Sequence, residues 1–117
     1  MRPLALVGAA TASTLLTLAG CAKPWDGTRL DEWAWYACQD FNIQVGKVGG
    51  AQLAHQLQPT QRRDFVLGLS EAEYADNPEI QDAVQVMATA VNGTQQDWQL
   101  SMNTFAQHCR DGGVDAV

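Results

Sequence analysis

The chain has 117 residues, a formal net charge of −6 at pH 7 and a hydrophobic content of 46%. Such an acidic surface repels phosphate backbones and anionic headgroups, so the composition argues against nucleic acid as a partner. The length and apolar content suit one domain, and the chain is too short for two.

Residues 1–20 have the three parts of an export signal. Arg2 and the free amine form a positive start, residues 3–18 are apolar or small, and Ala19-Gly20 form a small-residue cleavage context. A transmembrane helix is the alternative, but this apolar run is shorter than the ~20 residues that cross a bilayer, and Pro3 opens it. The pattern therefore predicts a cleaved signal peptide.

Leu18-Ala19-Gly20-Cys21 resembles the lipobox of bacterial lipoproteins, at which the signal is cut and lipid is attached to the cysteine. The resemblance implies a diacylglycerol thioether on Cys21 and a location on the extracytoplasmic face of the cell membrane. Two or more acyl chains make a stable anchor, because one chain binds only reversibly. Residues 21–27 would be the lipidated cysteine and a short tether. Within it, Trp25 either rests at the headgroup interface or packs against the domain.

Acylation of Cys21 would leave Cys38 and Cys109 as one possible pair of the three cysteines. In an oxidising compartment, an isolated pair in a small domain is usually a disulfide. This bridge would close a loop of 71 residues (109 minus 38). On the chain-entropy model it would restrict the unfolded chain by about 4 kcal/mol. A redox-active pair would need the C-x-x-C spacing, which these cysteines lack.

Apolar residues repeat at intervals of three and four between residues 30 and 45, which predicts an amphipathic helix. The inward face comprises Leu30, Trp33, Ala34, Ala37, Cys38, Phe41 and Val45. Thr28 is the expected N-cap, and Gly46 with Gly49-Gly50 is expected to end the helix. Trp35 lies off the centre of this face, where it either covers the edge of the disulfide or presents its indole to solvent or a partner.

The middle of the chain has weaker signals. Residues 51–58 are expected to form one or two helical turns. Residues 60–75 are helix-prone, with Leu67 and Tyr74 opposite the main apolar side. The capping pattern Ser70-x-x-Glu73 permits a break near residue 69, so this segment forms either one helix or two short ones.

Two further helices have clear start signals. Asn77-Pro78 combines an asparagine cap with proline at the first helical position, and Thr94 with Asp97 is a capping pair. Asn92-Gly93 is expected to end the first of these helices, because both residues accept a positive φ. The two inward faces comprise Ile80, Ala83, Val84, Met87, Ala88 and Val91, and then Trp98, Ser101, Met102, Phe105 and Cys109.

No stretch alternates with period two for long enough to form a sheet. The predicted fold is therefore all-α, a small bundle of four or five helices closed by one disulfide. Cys38 and Cys109 both fall on inward faces, which supports a bridge between the first and last helices. The helical domain is expected to span residues 28–111, followed by a flexible C-terminal tail over residues 112–117.

Three short motifs in the mature chain resemble small two-cysteine helical secreted proteins and lipoproteins of actinobacteria and their phages. They are Ala37-Cys38-x-x-Phe41, Asp76-Asn77-Pro78-Glu79-Ile80 with Ala83, and His108-Cys109-Arg110. The resemblance implies a helical domain outside the membrane and transfers no defined activity.

The candidate catalytic and cofactor residues each have an ordinary structural explanation. Gly68-Leu69-Ser70-Glu71-Ala72 departs from the G-x-S-x-G elbow at its last position and follows no strand, so Ser70 is expected to cap a helix. His55 and His108 share no metal-ligand spacing, and residues 46–50 lack the order of a phosphate-binding loop. We therefore predict no catalytic residue, no metal site and no cofactor.

The sequence favours a non-enzymatic binding module of the cell envelope over a small envelope enzyme, because it offers no convergent polar site. The expected partners are the membrane, through a lipid on Cys21, and an envelope protein or cell-wall component. If the gene is phage-borne, the alternative is a lipoprotein that blocks superinfection. Trp35, Leu67 and Tyr74 are the candidates for a partner-binding patch, unless the short helix at residues 51–58 covers them.

Overall fold

The computed structural model describes residues 22–117, so the predicted signal peptide and Cys21 lie outside the described residues. Within residues 22–117, the protein forms five α-helices, one 3₁₀ helix and no strand. The helices are α1 Glu32–Lys47, α2 Ala51–Ala54, α3 Pro59–Leu67, the 3₁₀ helix Ser70–Tyr74, α4 Pro78–Ala90 and α5 Gln95–Gly112. The predicted all-α fold is confirmed. The helix-prone segment 60–75 breaks near residue 69 into α3 and the 3₁₀ helix.

The disulfide joins the first and last long helices of the bundle. α4 packs along α5, α1 packs on α5, and the 3₁₀ helix contacts both α1 and α4. Cys38 of α1 and Cys109 of α5 are bonded, with their Cα atoms 5.7 Å apart and both side chains fully buried. The predicted pairing is therefore confirmed.

A chain of aromatic rings runs through the core. Phe41 stacks on Phe105 with ring centroids 5.1 Å apart and meets Phe65 edge-on at 5.6 Å. Phe65 in turn meets Trp98 edge-on at 5.8 Å. The buried indole N–H of Trp98 donates to the carbonyl of Ala54 at 2.9 Å, so it has the partner that burial requires. This bond fastens the short helix α2 to α5.

A buried arginine connects α3 to the turn between α4 and α5. Arg62 is 5% exposed, and its Nε donates to the carbonyl of Leu57 at 2.7 Å. One terminal nitrogen donates to the carbonyls of Val91 and Gly93, at 3.1 and 2.9 Å. The guanidinium also lies 5.7 Å from the centre of the Trp98 ring. Arg62 thus satisfies carbonyls from two separate parts of the chain.

α4 ends at Ala90, just before Asn92-Gly93, without a left-handed residue. Among the described residues, positive φ values occur at Gly49, Gly50 and Gly113 and not at Gly93. A left-handed residue normally brings amides back to the last carbonyls of a helix. Arg62 instead donates hydrogen bonds to carbonyls in this turn, so the turn needs no left-handed residue.

α1 begins three residues later than Thr28 would have placed it. Its N-cap is Asp31, whose carboxylate accepts from the amides of Trp33 and Ala34 at 3.2 and 3.4 Å. The hydroxyl of Thr28 instead donates to the carbonyl of Trp25 at 2.8 Å. Thr28 therefore closes the preceding turn, and the expectation that it caps α1 is wrong.

The other expected caps have mixed outcomes. Thr94 and Asp97 form the predicted capping box, with bonds of 3.0 and 3.2 Å. Asn77 precedes α4 as expected, but its side chain makes no capping bond to that helix. Ser70 is the first residue of the 3₁₀ helix, and its predecessor Leu69 occupies the cap position. The prediction that Ser70 caps a helix is therefore wrong.

The predicted inward faces are buried, with two exceptions. Trp33 is 42% exposed, and Ala88 is exposed while Ala90 is buried in its stead. The remaining apolar members of the three faces belong to one continuous core, and Ser101 is buried as well.

The C-terminal residues pack against the domain. α5 ends at Gly112, and the C-cap residue Gly113, with a φ of 105°, turns the chain back. Val114 and Ala116 are buried, and the side-chain amide of Asn42 donates to the carbonyl of Asp115 at 2.7 Å. The same side chain accepts from the amide of the last residue at 3.3 Å. The structure thus contradicts the flexible tail, because two apolar side chains find cover on the domain.

Candidate interaction site

The residues selected from the sequence divide between two surfaces. Trp25, Trp35 and Tyr74 belong to one cluster of aromatic rings, whereas Leu67 lines grooves beside α4. Cys21 lies outside the described residues. The three partner-binding candidates are therefore exposed or half-exposed without forming a single patch.

Five aromatic side chains contact one another at the start of the domain, and we call them the aromatic patch: Trp25, Trp33, Trp35, Tyr36 and Tyr74. The ring of Tyr36 is central, with its centroid 5.3 Å from Trp35, 5.7 Å from Trp25 and 6.2 Å from Trp33. Trp33 extends the cluster to Tyr74 at 5.7 Å, and Trp25 meets Trp35 at 6.1 Å. All five contacts are tilted or edge-on, as aromatic pairs prefer.

The local folding of the tether brings Trp25 into this patch. The amide of Asp26 donates to the carbonyl of Lys23, and that of Thr28 donates to the carbonyl of Trp25, both at 3.0 Å. These turns fold the tether back onto α1, and Arg29 holds it there with a 2.8 Å bond from its amide to the carbonyl of Gly112. Trp25 is half-buried on the domain, which is one of its two expected placements.

Exposure within the patch reverses one expectation. Trp33, expected on the inward face, is 42% exposed, whereas Trp35, which lies off the centre of that face, is half-buried against the core. Trp33 lies in the first turn of α1, where its aromatic neighbours are the surface rings of Tyr36 and Tyr74. Tyr36 is 37% exposed and Tyr74 64% exposed. The patch therefore presents three aromatic rings to its surroundings.

The second surface surrounds α4. Leu67, Val86 and Leu100 come from α3, α4 and α5 and are 66%, 55% and 65% exposed. A groove of about 530 Å³ between α4 and α5 includes Val86 and Leu100. A groove of about 250 Å³ on the α3 side of α4 includes Leu67 and Val84. We call these three exposed side chains and the two grooves the α4 face. The short helix α2 leaves both Leu67 and Tyr74 uncovered.

A polar cleft of about 360 Å³ opens where the start of α4 meets the end of α5. Its lining includes Arg29, Asn77, Glu79, His108 and Asp111. Within residues 22–117, no group of three or more His, Cys, Asp or Glu side chains is placed to hold a metal ion. The cleft gathers charges of both signs around one histidine.

Two carboxyl groups face each other between α1 and the 3₁₀ helix. Burial is the main reason that the pKa of Asp40 is raised to about 7, and the hydrogen bond and negative charge of Glu71 contribute to this rise. Lys47 opposes this shift. Asp40 therefore takes up a proton near neutral pH, and it lies outside both surfaces.

Comparison with known proteins adds no relative. No protein-family model, curated protein or solved structure shows a significant match to this chain. Within residues 22–117, no helix is long and apolar enough to cross a membrane. Function must therefore be inferred from the two surfaces and from the residues that precede them.

Sequence reasoning missed two features of these surfaces and the burial of Arg62. Trp33 and Tyr36 are three residues apart and so are neighbours on a helix, a signal that could have identified the patch. Val86 and Leu100 interrupt the polar sides of their helices in the same way as Leu67. The burial of Arg62 could have been inferred from its spacing of three before Phe65.

Proposed function

We propose that this protein is a lipoprotein of the cell envelope that acts as a non-enzymatic binding module. In this proposal Cys21 carries the lipid, and the domain lies on the extracytoplasmic face of the membrane. The N-terminal signal pattern and the resemblance of residues 18–21 to a lipobox support the anchor. A disulfide suits a chain that folds in an oxidising compartment.

The observation that carries the binding role is the α4 face. Leu67, Val86 and Leu100 come from three different helices, and each is more than half exposed. Exposed apolar side chains beside grooves commonly mark interaction sites. Aliphatic grooves between helices accept the apolar side of a protein segment, so we propose an envelope protein as the partner at this face.

The anchor is tested by acylation. The exported protein should incorporate labelled palmitate, partition into detergent and yield a Cys21 peptide with the mass of a diacylglycerol adduct. Cys21→Ala should lose the label and the partitioning. Label that persists in this variant would contradict the lipoprotein proposal.

The binding face is tested by photo-crosslinking in cells. A photoreactive amino acid at position 86 or 100 should give a crosslinked adduct of one defined mass. The matched control is position 43, because Ile43 is 53% exposed on α1 and lies outside the α4 face. Val86→Ser should then abolish the adduct formed from position 100, whereas Ile43→Ser should preserve it. Equal crosslinking from positions 43, 86 and 100 would contradict a specific face.

A further inference from the structure

We infer that the aromatic patch is the surface on which the domain lies against the bilayer, with its rings among zwitterionic lipid headgroups. This inference rests on the proposed anchor at Cys21 and adds the orientation of the domain and a second contact with lipid. The partner-binding α4 face is then a separate surface that remains open to the envelope.

The reach of the tether supports this orientation. Trp25 is four residues from Cys21, and four residues span at most ~14 Å when fully extended. Residues 23–28 are folded into turns, which shortens the reach further. A lipid on Cys21 therefore keeps Trp25 close to the headgroup region, and Trp25 contacts Trp35 and Tyr36 directly.

The chemistry of the rings suits a headgroup interface. Indole and phenol rings have an apolar body and a polar N–H or O–H group, and they concentrate where hydrocarbon meets water. Trp33 and Tyr74 are the most exposed members of the patch and touch each other, so they form one continuous contact area. The α4 face offers exposed aliphatic side chains instead, which lack the polar group.

The charges around the patch favour zwitterionic lipid over an anionic surface. Asp26, Glu32 and Glu73 are the immediate sequence neighbours of Trp25, Trp33 and Tyr74. Their carboxylates repel anionic headgroups and attract the ammonium group of a phosphatidylcholine or phosphatidylethanolamine. Such an ammonium group also interacts favourably with the face of an aromatic ring. Lys23 already lies 5.7 Å from the centre of the Trp25 ring, where it can meet a lipid phosphate.

Tryptophan quenching by brominated lipid tests the orientation. The full-length acylated protein is reconstituted into phosphatidylcholine vesicles with bromine on the acyl chains close to the headgroup. Compared with unbrominated vesicles, emission should fall, because three of the four tryptophans belong to the patch. Trp98 is fully buried and is the internal reference. Replacing Trp25, Trp33 and Trp35 by phenylalanine should leave Trp98 emission that bromine does not reduce.

A matched pair in the same phenylalanine background separates the two surfaces. Tyr74→Trp and Leu100→Trp place a single new indole at positions of nearly equal exposure, 64% and 65%. Brominated lipid should quench the indole at position 74 and spare the one at position 100. Equal quenching at both positions, or quenching at position 100 alone, would overturn the proposed orientation. If the phenylalanine background fails to fold, Trp33→Phe alone should still reduce the quenching seen in the unmodified protein.

The outcomes distinguish the orientation from the anchor. One outcome is a protein that floats with vesicles and yields a Cys21 peptide with an acyl mass, but whose tryptophan emission is not quenched. This outcome would overturn the orientation and leave the lipoprotein proposal intact. A protein without acylation that does not float would overturn both. Unquenched emission that shifts when soluble peptidoglycan fragments are added would assign the patch to a glycan and would also overturn the proposal.

Discussion

Asp31 and Asn77 bind each other through two reciprocal hydrogen bonds. The amide of Asp31 donates to Oδ1 of Asn77 at 2.8 Å, and the amide of Asn77 donates to Oδ1 of Asp31 at 3.1 Å. These residues are the N-caps of α1 and α4, so the pair joins the starts of two helices that are 46 residues apart. The side-chain amide of Asn77 also donates to the carbonyl of Arg29 at 3.3 Å.

The reciprocal Asp31–Asn77 pair, which we call the clamp, should contribute measurably to the free energy of unfolding. Asn77→Ala removes the side-chain partners of Asp31 and Arg29, so we expect the free energy of unfolding to fall by about 1–3 kcal/mol. Urea denaturation followed by circular dichroism measures this change. Asn92→Ala, in the exposed turn after α4, is the control and should cost less than about 0.5 kcal/mol. Equal losses in the two variants would show that the clamp is energetically unimportant.

Two adjacent arginines should behave very differently. Arg62→Ala leaves three buried or part-buried carbonyls without their donor and removes packing from Trp98, so we expect a loss of about 3–5 kcal/mol. Arg63 is exposed, and Arg63→Ala should change stability by less than about 0.5 kcal/mol. Thermal and urea unfolding of the two variants give the comparison. A tolerant Arg62→Ala variant would contradict the structural role of this side chain.

The disulfide should stabilise the domain by restricting the unfolded chain. Its loop spans 71 residues, and the chain-entropy model gives up to about 4 kcal/mol for a loop of this length. The Cys38→Ala/Cys109→Ala variant should lose most of this free energy, and less if the reduced chain retains structure. Unfolding should then be insensitive to reductant. A variant as stable as the oxidised protein would refute the prediction.

The carboxyl pair predicts a pH dependence with a definite sign. The pKa of Asp40 rises from 3.8 to about 7 on folding, mainly through burial and secondly through Glu71. The folded state therefore keeps a proton that the unfolded state releases, and stability is lost as the pH rises from about 4 to about 7. Asp40→Asn should flatten this loss. The gain at pH 8 should stay below about 1 kcal/mol, because solvent screens the pair.

Urea midpoints at pH 4.5 and pH 8 measure this effect. Asp82→Asn removes an exposed carboxylate of α4 and should keep the pH profile of the unmodified protein. Parallel profiles for Asp40→Asn and the unmodified protein would contradict the role of the pair.

Much of the fold could be predicted because local physics decides it. Periodicity placed Phe41, Met87 and Phe105 inside, since a helix puts residues three and four apart on one side. The capping box at Thr94 and Asp97 needs two residues three apart and nothing else. The outward positions of Leu67 and Tyr74 followed from the same periodicity and are borne out by their exposure.

Only the tertiary structure decided which side chains serve distant parts of the chain. The side chain of Asn77 makes no capping hydrogen bond to α4, because it binds Asp31 instead. Arg62 is buried because the turn after α4 presents carbonyl groups to its guanidinium. Trp33 is exposed although its spacing placed it inward, and Trp35 is half-buried, because the 3₁₀ helix and the tether bring Tyr74 and Trp25 to these rings. A sequence determines which groups need a partner, but long-range packing selects the partner, because several satisfied arrangements are locally equal in free energy.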